Sequence, residues 1–131
     1  MAELAEVVMG ERILLVDDEE SVLFALHDYL TLRGYEVHRA ADRATAERLL
    51  EEQRFARVVT DLHLSPERAG DGLALARKAR ETGVDRVVLL TAHGSPEIEH
   101  AAEDAGIHRV LAKPVLLAEL ERVLMDPETL S

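Results

Sequence analysis

Four short apolar runs, each cut off by a polar residue, limit what this chain can fold into. Ile13-Leu14-Leu15-Val16 ends in Asp17-Asp18-Glu19-Glu20, and Val58-Val59-Thr60 ends in Asp61. Val87-Val88-Leu89-Leu90 ends in Thr91, and Arg109–Ala112 ends in Lys113-Pro114. Runs this short and this continuous suit strands buried on both faces, the pattern of a parallel sheet. Between them the period changes to that of helices. Val22, Leu23, Leu26, Tyr29 and Leu30 share one face, and Gly34 supplies a stop.

Tyr35–Ala40 is different: apolar and polar residues alternate, which suits an edge strand. Asp42 is placed to cap a helix running to about Gln53. A third helix is expected from about Asp71 to Thr82. A fourth starts at Ser95-Pro96, with Glu97 and Glu99 in its first turn. The last runs from about Val115 to Met125. Parallel strands need crossovers, and right-handed crossovers put helices on both faces of one sheet. The expected fold is therefore α/β: a flavodoxin-like, doubly wound (βα)5 unit with a five-stranded parallel sheet in the order 2-1-3-4-5. Its expected limits are residues 11–126, with 1–10 a lead-in and 127–131 a tail.

Composition narrows the partners. The chain has 131 residues and a net charge of −11, the wrong sign for a surface that releases counterions from nucleic acid. Cysteine is absent, which excludes disulfides, thiolate metal sites and cysteine nucleophiles. No stretch is long and apolar enough to span a bilayer. Met1–Gly10 carries Glu3 and Glu6 without a basic residue, so it does not read as a signal peptide. A cytoplasmic location is the expectation, without membrane or nucleic-acid partners. The chain ends about where the fifth helix is complete, so the expectation is a stand-alone module with no output domain of its own.

In open parallel sheets, ligands bind beyond the carboxyl ends of the strands. Asp17, Asp18, Asp61, Thr91 and Lys113 all stand there, from four different strands. Crowded carboxylates repel by roughly 3 kcal/mol per pair at about 5 Å. A divalent cation offsets that repulsion, and an all-oxygen set suits Mg²⁺ or Mn²⁺. A hydroxyl and an ammonium at the same spot are what a transferred phosphoryl group needs. Asp61, alone at the end of its strand, is the best-placed nucleophile. Taken singly, an Asp-Asp pair after a strand is more often a helix cap, and a lone Thr caps a turn. Lys113 is harder to set aside, because the chain uses 13 arginines and only two lysines.

These marks together resemble the receiver domain of two-component response regulators, from about Arg12 to Leu124. They are Ile13–Glu19, Gly34-Tyr35-Glu36-Val37, Asp61-Leu62, Asp71-Gly72, Thr91-Ala92 and Lys113-Pro114. The resemblance implies that Asp61 accepts phosphate from a sensor histidine kinase or a histidine phosphotransfer protein. It implies that Asp18 binds Mg²⁺ directly, Asp17 mainly through water, and His63 through its main-chain carbonyl. Thr91 would contact the phosphoryl group and move on activation, and Lys113 would pair with that group across a Lys-Pro bond that is commonly cis in the family. A downstream protein target would read the signal by docking, and a homodimer stays open.

The chain departs from the family pattern in three places. Val110 stands where a Tyr or Phe usually couples phosphorylation to the output face. A valine cannot swing as a ring does, which predicts weaker switching or coupling through the loop after Thr91. The loop from Leu62 to Gly70 is a few residues long for the family, with Ser65–Ala69 expected to protrude. His63 and His93 each stand two residues after a site residue, where imidazoles could modulate phosphoryl lifetime. Two alternatives stay open: a phosphorylation-independent interaction module, and an aspartyl-phosphate phosphatase. The second is disfavoured by the adjacent acidic pair and the lack of room for a cap.

Overall fold

The computed structural model describes residues 11–64 and 70–125. Five strands, β1 (Arg12–Val16), β2 (Glu36–Ala40), β3 (Arg57–Asp61), β4 (Arg86–Thr91) and β5 (Arg109–Ala112), alternate with five helices. The helices are α1 (Glu20–Leu32), α2 (Arg43–Glu52), α3 (Asp71–Glu81), α4 (Pro96–Asp104) and α5 (Leu117–Met125). All strand pairs are parallel, in the order β2-β1-β3-β4-β5. The alternating strand is indeed an edge.

Two cores explain the continuous apolar runs. Leu14, Val16, Val58, Val87 and Leu89 face one way, against Ala46 and Leu50 of α2, Leu75, Ala76 and Ala79 of α3, and Ala102 of α4. Ile13, Leu15, Val59, Val88 and Leu90 face the other way, against Leu23, Leu26 and Leu30 of α1 and Leu120, Val123 and Leu124 of α5. Successive residues of β1, β3 and β4 thus enter opposite cores, so their charged residues keep to the strand ends. Thr60, buried inside β3, satisfies its hydroxyl on the Asp61 carbonyl at 3.0 Å.

The helix boundaries follow local chemistry. Asp42 accepts the Thr45 N–H at 2.8 Å, and Ser95 accepts that of Ile98 at 3.2 Å ahead of Pro96. After α1, Gly34 adopts φ 104°, and the Tyr35 N–H then reaches back to the Leu30 carbonyl at 3.2 Å. The last helix starts later than Val115, because its first turn closes with Leu120 N–H donating to Leu116 O. Its far end is capped from the sheet: Arg57 Nε donates to Leu124 O at 2.8 Å and Arg86 Nη1 to Val123 O at 3.4 Å. Cationic donors at a helix C-terminus satisfy its orphan carbonyls and oppose its dipole. Glu121 pins α5 to α1, accepting from Tyr29 Oη and Arg33 Nε at 3.0 Å each and from Tyr35 Oη at 3.4 Å.

Among the described residues no helix is long and apolar enough to cross a membrane. The expected Ser65–Ala69 protrusion, the lead-in and the tail lie outside the described residues.

Candidate active site

Parallel pairing brings the strand ends into one rim. Asp17 follows β1, and its N–H extends the ladder to Ala40 O at 3.1 Å. Asp61 closes β3 and Thr91 closes β4, both buried. Beyond β5, the Lys113 N–H donates to Thr91 O at 2.8 Å, which directs that chain end back over the sheet. The Lys113-Pro114 peptide is cis.

The Lys113 ammonium is the centre of the cluster. Its Nζ lies 2.9 Å from Asp17 Oδ2, 2.9 Å from Glu19 Oε1 and 3.0 Å from Asp61 Oδ2. The other carboxylate oxygens are held by backbone. Asp17 Oδ1 accepts the Glu19 N–H at 2.9 Å, and Asp61 Oδ1 accepts that of His63 at 3.2 Å. Asp17 Oδ2 is buried and, although the ammonium is close, has no aligned hydrogen bond.

Among the described residues, one ammonium faces three carboxylates, a net negative group. Burial pushes the Asp17 carboxyl above its usual range, and the neighbouring Asp61 charge adds to this despite Lys113 and the Glu19 N–H. Burial disfavours the Lys113 ammonium too, but Asp17, Glu19 and Asp61 outweigh it and raise the pKa. Asp17, Glu19 and Asp61 each offer an oxygen, all within 4.8 Å of one another. An all-oxygen set with one buried, unaligned carboxylate oxygen fits a hard divalent cation.

The structure gathers Asp17, Asp61 and Lys113 as expected, but rearranges their neighbours. Asp18 is exposed and outside the group of converging carboxylates; Glu19, expected only as the end of the Ile13–Glu19 mark and not as a site residue, is in that group. Glu19 was one of four consecutive acids, and only the turn before α1 selects it. The Thr91 hydroxyl is engaged in its own loop, donating to His93 O and accepting the His93 N–H, both at 3.2 Å. His63 and His93 are both exposed. Val110 is half-buried against the α2–α4 core, beside a groove of about 350 Å³ between α4 and β5.

Gly72 supplies a constraint beyond its place in the Asp71-Gly72 mark. A Cβ there would stand 2.1 Å from Asp61 O and 2.3 Å from Leu62 O. The first turn of α3 therefore lies directly on the backbone of Asp61, and Gly72 N–H donates to Leu62 O at 3.1 Å. Gly72→Ala is expected to destabilise the fold by about 3 kcal/mol, since backbone cannot yield as a side chain can. A urea midpoint equal to that of the parent would show that α3 moves away freely.

The comparisons agree with this geometry. Residues 13–125 match the family model described as response regulator receiver domain. The chain belongs to that family. It is 37% identical over 113 residues to the transcriptional regulatory protein PrrA of Mycobacterium tuberculosis, covering 86% of this chain and 48% of that protein. It thus spans about half the length of the curated relatives it matches. A Burkholderia pseudomallei response regulator, crystallised with a phosphorylated aspartic acid, calcium ion and citrate, superposes with a TM-score of 0.81 at 28% identity. That match covers 88% of this chain and 67% of the other. A CheY-like receiver domain from Methanospirillum hungatei gives 0.78 at 28% identity, covering 86% and 88%. This is a receiver domain of two-component signalling, with an acidic pocket suited to Mg²⁺.

Proposed function

We propose that Asp61 takes a phosphoryl group from a phosphohistidine donor, and that the resulting acyl phosphate controls docking to a downstream protein. The observation that carries this is the Asp61 carboxylate at the end of the central strand, 3.0 Å from the one ammonium that also meets Asp17. A carboxylate oxygen of Asp61 attacks phosphorus as the P–N bond to the donor imidazole breaks. Hydrolysis of the mixed anhydride later returns the carboxylate and inorganic phosphate. The module catalyses its own phosphorylation and dephosphorylation and transforms no other substrate.

Mg²⁺ or Mn²⁺, when bound, supplies positive charge to the phosphoryl oxygens. Asp17, Asp18, Asp61 and the His63 main-chain carbonyl would hold it, with Glu19 a further exposed carboxylate beside Asp17. Lys113 then pairs with the phosphoryl oxygens. Thr91 reaches them by giving up His93 O, so the loop after β4 moves with it. With Val110 unable to act as a ring would, that loop carries the switch. His63 and His93 flank the approach of water and set the lifetime. The donor is a sensor histidine kinase or a phosphotransfer protein, and the location is the cytoplasm.

Acetyl phosphate with Mg²⁺ is expected to add one phosphoryl group per chain, mapped to Asp61 by mass spectrometry after borohydride reduction. Chelation with EDTA should slow uptake by roughly tenfold or more. No uptake, or uptake at another residue, would refute the proposal.

A further inference from the structure

We infer that Arg43, on the neighbouring helix, is a positioning residue for Asp61, acting through Asp71 and the α3 N-terminus. The inference rests on the reading of Asp61 as phosphoacceptor. The backbone of Asp61 is in contact with Gly72, so the seat of α3 sets where that aspartate stands. Among the described residues, the backbone bond from Gly72 N–H to Leu62 O ties the start of α3 to the sheet, and no side chain of the capping residue, Gly70, adds to it.

The side-chain anchor comes from α2. Asp71, the first residue of α3, is buried, and its Oδ1 accepts from Arg43 Nη1 at 3.2 Å. Arg43 is itself held in place, because its Nε donates to Glu47 Oε2 at 2.7 Å one turn along α2. The guanidinium thus bridges two carboxylates on different helices. The connected path is Glu47, Arg43, Asp71, Gly72 and the Asp61–Leu62 backbone. An Asp71 carboxylate without Arg43 would be buried next to the peptide that carries Asp61, and it would draw the first turn of α3 toward water.

The test separates position from stability. Arg43→Ala, Asp71→Asn and the double variant are compared with the parent at a temperature where urea titration shows all four folded. At saturating acetyl phosphate and Mg²⁺, each single variant is expected to be phosphorylated roughly tenfold more slowly, a plausible cost for small misplacement of a reacting group. The double variant should be no slower than the slower single one, because both break the same link. The backbone amide resonances of Asp61, Leu62 and Gly72 should shift in Arg43→Ala. Unchanged amide shifts, or a parent-like rate in Arg43→Ala despite lost stability, would overturn the inference. If the parent itself takes no phosphoryl group, the function of Asp61 falls, while the amide shifts still decide whether Arg43 reaches it.

Discussion

Asp61→Asn is expected to fold with only modestly changed stability and to accept no phosphoryl group from acetyl phosphate or from a phosphohistidine donor. The two halves of that result have separate causes. The amide is a poor nucleophile and cannot form the mixed anhydride, so uptake is lost outright. Stability changes only modestly because two electrostatic terms oppose. Lys113 loses its Asp61 partner at 3.0 Å but keeps Asp17 and Glu19 at 2.9 Å. In return Asp17 loses the neighbouring charge that helps to push its pKa up. At an effective dielectric of about 20 the lost attraction at 3.0 Å is about 5 kcal/mol, and the relieved Asp17 repulsion at up to 4.8 Å is about 3 kcal/mol. With the smaller relief from exposed Glu19, the net change should stay within about 2 kcal/mol. The Asn Oδ1 can still accept the His63 N–H that Asp61 Oδ1 accepts at 3.2 Å. Intact mass and thermal unfolding read the two halves independently. A variant that gains a phosphoryl group would remove Asp61 from the centre of the chemistry. One that unfolds would show that this carboxylate is a structural residue first.

The parts of this molecule that could be read from sequence are those governed by period and by single-residue chemistry. A residue on β1 or β4 enters one core or the other, so the strands announce themselves as unbroken apolar runs. Asp42 and Ser95 cap because their side chains reach the first helical turn at short range. The strand order followed from which run alternates. Convergence of Asp17, Asp61 and Lys113 followed in turn from strand order, because ends of parallel neighbours share a rim. Side-chain direction in irregular backbone has no such period. Residues 17–20 are four consecutive acids, and nothing in their spacing shows that Glu19 rather than Asp18 turns toward Lys113. Residue type and position point the Thr91 hydroxyl to the pocket, yet its two bonds lie within its own loop. The Arg43–Asp71 and Glu121 links join residues far apart in the chain through long side chains, whose reach no sequence pattern encodes.

Lys113→Met should have a large effect on stability, and the pH dependence of that effect identifies its origin. Methionine keeps the length of the stem and removes the charge, leaving Asp17 and Asp61 buried together without a cation. Breaking a buried pair from one side costs about 3–5 kcal/mol; with Glu19 exposed at the pocket mouth, about 2–4 kcal/mol is expected near neutral pH. The Asp17 pKa, already raised by burial, should rise further once Lys113 no longer opposes it. A carboxylate whose folded pKa exceeds its unfolded value binds more protons in the folded state, so stability falls as pH rises through that interval. The deficit of Lys113→Met relative to the parent should therefore shrink as pH is lowered from about 7 toward 5. Divalent cation should act in the same direction. The ammonium and the metal compete for Asp17 and Asp61, so the variant should bind Mg²⁺ more tightly than the parent and gain more stability from it. Urea titrations at two pH values, with and without Mg²⁺, measure all three effects. A variant as stable as the parent at neutral pH, with unchanged Mg²⁺ affinity, would mean that Lys113 does not balance this pocket and that the close contacts to its three carboxylates carry little energy.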